Sequence, residues 1–404
     1  MASGRRGRGR HGLARIGGLA GVAAATLALG SCGGNAATSR TSPGPARPAA
    51  SSSAPSGATA STAPSGATAG TGSSTATWTA RAVPAGVGYL NDVTCPSTAR
   101  CYAVGGSDRG SGPAWVIGSA DGGDGWQLLH TAPSGWLTAI ACPGAQSCTA
   151  VGGSTGSGGF APEALVTTDG GRSWTSEAVP PQVGALTDVA CVSTSRCIAV
   201  GGGSAIAVTT DGGSTWTTRS LPTGLVFVDS VTCPTSTFCM VGGSGPGPEA
   251  SSPSMASVSD DGGASWSAAT VVGGASTLGR VSCADARDCV GLIASGATDT
   301  YGTGTPIVTS DGGSTWQHEP TTVGGSVSCV QRSCISVGAS YDPAANSFTG
   351  AAFLSTDGGL AWTSMRVPTS DGLNAVACRS AVACVAVGGN FPDSTSGVVL
   401  TYGS

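Results

Sequence analysis

Beyond position 75 the chain is a succession of short apolar runs separated by glycine, serine and aspartate. One stretch shows the pattern in full. Leu186-Thr187-Asp188-Val189-Ala190-Cys191 is followed by a five-residue turn, and Cys197-Ile198-Ala199-Val200 resumes the apolar run. A Gly-rich loop leads to Ile206-Ala207-Val208-Thr209, then to a D-G-G turn and a last segment that opens with Trp216. Runs this short, rich in β-branched residues and bounded by Gly/Asp turns, predict four β-strands and no helix.

The pattern recurs seven times, marked by the pairs Cys95/Cys101, Cys142/Cys148, Cys191/Cys197, Cys233/Cys239, Cys283/Cys289, Cys329/Cys334 and Cys378/Cys384. A period of 42 to 50 residues suits one four-stranded blade, so the expectation is an all-β, seven-bladed β-propeller over 75–404. The last repeat ends at Val398-Val399-Leu400-Thr401-Tyr402, a third strand without a fourth. The first residues of the repeat region, Ala76-Thr77-Trp78-Thr79-Ala80-Arg81, read as a fourth strand without a third. The two should pair, so that the N-terminal strand closes the last blade and removes a sticky sheet edge. Each cysteine pair joins the end of strand one to the start of strand two, which predicts one disulfide per blade, all on the turn face of the ring, and an oxidising, extracytoplasmic compartment. The spacing is C-x5-C, or C-x4-C at Cys329/Cys334. It does not form the grouped pairs of a zinc site, and the reading includes neither metal nor cofactor.

Composition accounts for the rest of the chain. Only 10% of residues are charged and 67 are glycine, with a formal net charge of -4. No basic stripe is present to meet phosphates, which sets nucleic acid aside as a partner. Arg5, Arg6, Arg8, Arg10 and Arg15 precede a short apolar stretch from Ile16 to Gly30, the layout of an export signal (1–31). Its end, Leu29-Gly30-Ser31-Cys32, resembles the lipobox of bacterial lipoproteins, which implies lipidation at Cys32, the one cysteine outside the seven pairs. Two acyl chains hold a protein stably on a membrane where one does not. From 32 to 74 the chain is mostly Ser, Ala, Thr, Pro and Gly. Such a segment forms no core and acts as a disordered tether, with a span of roughly 35 Å for a flexible chain. The expected product is a monomer anchored at the outer face of the cytoplasmic membrane, whose partner is an envelope protein or glycan.

The aspartates Asp121, Asp169, Asp211, Asp261, Asp311 and Asp357 each sit in S/T-x-D-G-G-x-x-W. The motif resembles the Asp-box of BNR-repeat propellers, a superfamily that includes sialidases, sortilin-type receptors and photosystem assembly factors. In physical terms it is a folding device: the carboxylate accepts backbone N–H bonds across the turn, the glycines supply positive φ, and the tryptophan packs beneath. The sialidase pattern that the resemblance raises, an arginine triad with a tyrosine nucleophile, has no match here. Beyond position 75, Arg100, Arg196, Arg287, Arg332 and Arg379 fall beside disulfide turns, Arg172 sits in a D-G-G motif and Arg81, Arg219 and Arg366 on outer strands, which leaves only Arg109 and Arg280. His130 and His318 follow Asp-box tryptophans on outer strands.

Function is expected on the face away from the disulfides and D-G-G turns, where variable loops sit on a rigid scaffold. Trp136 stands six residues before the first cysteine of its repeat, where Tyr89 and Phe227 stand in two others. With Trp115 and Phe160 these aromatics are candidates for a stacking platform, the bland reading being that they fill gaps between blades. Three residues before the first cysteine stand Asp92, Asp188 and Arg280, expected to face the channel. Asp92 and Asp188 are the candidate carboxylate pair for glycoside hydrolysis, which needs two; Arg280 is a candidate ligand contact. The leading expectation is a noncatalytic, membrane-anchored binding module or assembly scaffold. The alternative is a carbohydrate-active propeller, either a glycoside hydrolase or a lectin.

Overall fold

A computed structural model describes residues 76–106, 112–132, 135–156, 159–248, 251–294, 302–342, 347–390 and 395–403. Residues 1–75, where the export signal, the Cys32 lipidation and the tether are expected, lie outside the described residues. So do Arg109 and the side chain of Phe160.

Seven antiparallel sheets form the seven blades: five are four strands in sequence order, one carries a fifth short strand, and the last takes its outer strand from Thr77–Arg81. Blade 3 is representative: Leu186–Cys191, Cys197–Gly201, Ala205–Thr209 and Thr217–Ser220, paired in that order from the inner to the outer strand. The second and third strands are buried along their whole length, because both faces of each middle strand meet a neighbouring blade. Hence they read as unbroken apolar runs without a period-two alternation. Inner strands adjoin one another in succession, and the inner strand of blade 7 (Gly372–Ser380) adjoins that of blade 1 (Leu90–Thr94), closing the ring. Among the described residues the sole helical element is a 3-10 turn at Pro181–Val183.

Closure follows the expected route. Thr77–Arg81 pairs antiparallel with Gly397–Gly403, in register from Thr77↔Gly403 to Arg81↔Val399. Trp78 is buried against Tyr402, with ring centroids 5.2 Å apart.

All seven disulfides form, each across a strand one–strand two hairpin with Cα atoms 4.0 to 4.1 Å apart: Cys95–Cys101, Cys142–Cys148, Cys191–Cys197, Cys233–Cys239, Cys283–Cys289, Cys329–Cys334 and Cys378–Cys384. The bridges lie where expected, and the structure adds how far each reaches into the core. Only the first cysteine of each pair is half-buried beside its turn. The second ones, Cys101, Cys148, Cys197, Cys239, Cys289, Cys334 and Cys384, are core residues with 2% exposure or less. Each belongs to a different one of the seven apolar clusters. The reason is position: the second cysteine stands at the start of strand two, which neighbouring blades cover on both faces. These bridges therefore couple the hairpin to the core and are not exposed functional groups.

The D-G-G turns are built alike. At Asp211, Oδ1 accepts from the Thr215 backbone N–H (2.9 Å) and Oδ2 from the Thr215 hydroxyl (2.6 Å). The hydroxyl of Thr209 donates to Asp211 Oδ1 and accepts from Gly213 N–H. Gly212 and Gly213 take φ of 77° and 97°, a region that costs any residue with a Cβ. The hydroxyls of Ser173, Thr215, Ser265 and Thr315, followed by backbone N–H donors, hold Asp169, Asp211, Asp261 and Asp311 below the usual carboxylate range. These carboxylates are spent on the turns.

Blade 5 departs from the pattern. Its outer strand is only Gln317–His318, and Val323–Gly324 pairs separately with the third strand, Thr303–Thr309. Pro320 explains the break, since it has no N–H to continue the ladder.

Candidate functional site

A channel of about 680 Å³ is lined by residues of all seven blades. Its wall is made chiefly by the residue four before the first cysteine: Asn91, Thr138, Thr187, Asp229, Gly279, Gly325 and Asn374. The sequence reading places the wall one position later. The difference comes from a backbone irregularity: in six blades the inner strand shifts register at this point, between Leu90/Asp92, Leu137/Ala139, Leu186/Asp188, Val228/Ser230, Leu278/Arg280 and Leu373/Ala375. A bulge of this kind breaks the strict alternation of faces. In blades 1, 3 and 4 it leaves both positions directed toward hydrogen-bond partners in the next blade.

The earlier of the two positions donates, except in blade 4, where Asp229 accepts. Asn91 Nδ2 reaches Leu137 O (2.7 Å), Thr138 Oγ1 reaches Leu186 O (2.9 Å), Thr187 Oγ1 reaches Val228 O (3.3 Å) and Asn374 Nδ2 reaches Leu90 O (2.7 Å). The later position accepts. Asp92 Oδ2 takes Ile140 N–H (2.8 Å), Asp188 Oδ2 takes Val231 N–H (3.0 Å) and Ser230 Oγ takes Val281 N–H (3.1 Å). Side chains thus stitch each inner strand to the next, at about 1 kcal/mol for an ordinary hydrogen bond and more for a charged acceptor.

Asp92 and Asp188 are therefore seam residues, bonded to the neighbouring blade and not part of the channel lining. Asp188 Oδ1 also accepts its neighbour Val189 N–H, and Oδ2 lies 3.6 Å from Arg280 Nη1. Arg280 does line the channel. Beside it is Asp229, a residue the sequence reading does not single out; its carboxylate accepts the Thr277 hydroxyl across the blade 4–blade 5 seam. The signal that would have found it is its place one residue before the Asp/Ser/Arg position, once a bulge is allowed for. Burial pushes the Asp92 carboxyl up to about 7, with Arg280 opposing and Asp188 adding to the rise. Burial likewise raises Asp229 to about 6, against the Thr277 hydrogen bond and Arg280. Asp188 is raised by the same cause, opposed chiefly by Arg280.

The aromatic candidates separate. Tyr89 lines the channel mouth and its hydroxyl donates to Asn374 Oδ1 (2.9 Å), bridging blades 1 and 7. Trp136 and Phe227 border buried and half-buried positions of their inner strands. Each of the three sits over a glycine of the preceding blade: a Cβ added at Gly389 would lie 3.0 Å from Tyr89, at Gly106 3.1 Å from Trp136 Cβ, and at Gly202 2.9 Å from Phe227. They fill inter-blade gaps, which is the bland reading. Trp115 belongs to the third strand of blade 1 and is buried at 7% exposure with Val87, Leu90 and Ile117. It has no open ring face, which corrects its place in the expected platform. No cysteine of the seven bridges lines the channel. Among the described residues no group of three or more His, Cys, Asp and Glu is arranged to hold a metal.

No protein-family model and no curated protein matches the chain. Solved structures do, and the class they share with it is the seven-bladed β-propeller. A structure described as YCF48 bound to D1 peptide aligns at a TM-score of 0.55 and 17% identity, covering 81% of this chain and 95% of that one. YCF48 from Cyanidioschyzon merolae aligns at 0.55 and 16%, covering 81% and 99%. A GH74 enzyme from Niastella koreensis aligns at 0.55 and 17%, covering 77% of this chain and 52% of the enzyme. The chain thus spans about half the length of that enzyme. At such identities the likeness is one of fold.

Proposed function

We infer that this chain is a noncatalytic binding module or assembly scaffold of the Asp-box propeller kind, exported and held to the outer face of the cytoplasmic membrane through Cys32 and the 32–74 tether. One observation carries the reading. The carboxylates around the channel are engaged by the propeller's own donors: Asp92 by Ile140 N–H, Asp188 by Val189 and Val231 N–H and Arg280, and Asp229 by the Thr277 hydroxyl. What faces the channel is a wall of Asn, Thr and Gly with Tyr89 and Arg280; the Asn91 and Asn374 amides each give one N–H to the next blade and keep the second for polar main chain. The YCF48 structure with its D1 peptide is a protein of this fold that takes a peptide, and it supports a protein partner in the envelope.

The hydrolase reading draws on the carboxyls of Asp92 and Asp229, raised to about 7 and about 6, values suited to acid catalysis near neutral pH. It also draws on the GH74 neighbour. One experiment separates the two. A photo-crosslinking residue at Thr187, on the channel wall, is compared with one at Leu128, exposed on an outer strand. In parallel, the protein is assayed for reducing ends released from xyloglucan. A discrete envelope protein crosslinked only from position 187, with no release, supports the scaffold. Release that disappears in Asp229→Asn overturns it.

A further inference from the structure

Three seams between blades on the disulfide face are closed by the same contact, and the blade 5–blade 6 seam departs from it. Arginines of the strand one–strand two hairpins reach into the D-G-G turn of the following blade: Arg379 to Gly122 O (2.9 Å), Arg100 to Gly170 O (3.4 Å) and Arg196 to Gly262 O (2.8 Å). Arg287 of blade 5 instead turns back to Ser310 O of its own blade. Blade 6 also has the one shortened hairpin, with Cys329 and Cys334 five apart where the other pairs are six apart. The shortened hairpin shows at the first glycine of each D-G-G turn, where in most blades the nearest atom belongs to the blade's own hairpin. A Cβ added at Gly122, Gly170, Gly212, Gly262 or Gly312 would meet a neighbour at 2.8 to 3.1 Å, but at Gly358 of blade 6 it would meet nothing within 4 Å.

The opening is a pocket of about 310 Å³ between blades 5 and 6. Val290 and Val308 form part of its lining, Trp316 and the exposed Leu360 give it apolar sides, and Asp288, Gln331 and Arg332 supply polar groups. Much of the remaining polar lining is already used: the Thr315 hydroxyl bonds Asp311, and Asp357 Oδ1 accepts Leu360 and Ala361 N–H. Arg332 spends one nitrogen on Asp357 O (2.8 Å) and keeps its other donors. The Asp288 carboxylate and Gln331 carboxamide make no side-chain hydrogen bond among the described residues. Gln331 is moreover the one non-glycine with positive φ among the described residues, at 54°. The two-residue turn between Val330 and Ser333 requires that positive φ, and it sets Gln331 at the rim of the pocket.

We propose that this inter-blade pocket is a second binding site, on the face opposite the channel mouth, for a single neutral pyranose ring of an envelope or environmental glycan. An indole and a leucine offer the apolar contact that a sugar's C–H face needs. A carboxylate, a carboxamide and a guanidinium at the rim supply acceptors and donors together, the mixture that vicinal hydroxyls satisfy. Asp288 and Arg332 bring one negative and one positive side chain to the lining, which suits an uncharged ligand. The site stands apart from the channel and does not depend on what the channel binds.

The test is saturation-transfer NMR and titration of the oxidised full-length chain with the methyl glycosides of glucose, galactose, mannose and N-acetylglucosamine. At least one is expected to bind saturably. Asp288→Ala and Gln331→Gly should each weaken it about fivefold or more, the equivalent of one lost hydrogen bond. Gln331→Gly relieves the positive φ, so its urea midpoint should hold or rise, and lost binding cannot then come from unfolding. Arg280→Ala in the channel should bind the glycoside as the parent does. Saturable binding by none of the four, binding that survives both pocket substitutions, or binding lost in Arg280→Ala would overturn the proposal.

Discussion

Asp92 offers the sharpest test of how the inner ring is held together. Burial raises its carboxyl from an ordinary 3.8 to about 7, the attraction of Arg280 being outweighed. The folded form therefore binds the proton more tightly than the unfolded chain does. Its contribution to stability is fully present below about pH 4, falls as pH rises toward 7, and is level above that. At about 1.4 kcal/mol per pH unit of displacement, keeping Asp92 ionised inside the fold costs roughly 4 kcal/mol. Asp92→Asn removes the ionisation while its amide oxygen can still accept Ile140 N–H. The variant should match the parent near pH 4 and exceed it by up to roughly 4 kcal/mol at pH 8. The assay is urea unfolding of the disulfide-intact protein in steps between those pH values, with the difference in stability plotted against pH. A difference that stays flat, or a parent more stable than the variant at pH 8, would refute the account of Asp92 as a carboxylate held against its preference by the blade 1–blade 2 seam.

Three further outcomes follow from the same structure. Asp188→Ala strips acceptors from Val189 and Val231 N–H and leaves Arg280 without its partner; a loss of about 2 kcal/mol is expected in urea unfolding at neutral pH. Replacing Cys191 and Cys197 together by serine opens one short loop, closed across a sequence separation of 6, and should lower stability by about 2 kcal/mol on the loop-entropy model, seen as a lower urea midpoint. Deleting Thr77–Arg81 uncovers the edge of Gly397–Gly403, and the product should self-associate on size-exclusion chromatography where the parent does not.

The resemblance to solved propellers leaves the ligand open, because it is a likeness of blades and turns at 15 to 17% identity. The features that differ among propellers are local: the residues of the inner strands, the loops that lead into them, and the seams. Here those features are Arg280 with Asp188 and Asp229 on one side, and the unsealed blade 5–blade 6 seam on the other. Each gives a substitution that leaves the disulfides and D-G-G turns untouched.

Sequence alone determined the architecture, because a propeller is a one-dimensional repeat. Cysteine spacing, D-G-G turns and short apolar runs are local signals, and each blade repeats them with little change. Even the closing strand could be read from Trp78 and Tyr402, since an unpaired third strand at one end and an unpaired fourth at the other leave one economical solution. Pairing of the cysteines was equally local, but the burial of Cys101, Cys148, Cys239, Cys289 and Cys384 was not, because the side chains that cover them belong in part to a neighbouring blade. The channel wall was not legible in the same way. It depends on a bulge in the inner strand, which moves the lining to Asn91, Thr187 and Asp229 and turns Asp92 and Asp188 into the seams. Side-chain alternation along a strand is assumed when a sequence is read, and a single extra residue against the partner strand shifts it. The fate of Trp115 was decided the same way, by the packing of one blade on the next. Whether a tryptophan stacks on a ligand or fills a core depends on which neighbour arrives first, and in a propeller that neighbour comes from another repeat, which the local pattern around the tryptophan does not reveal.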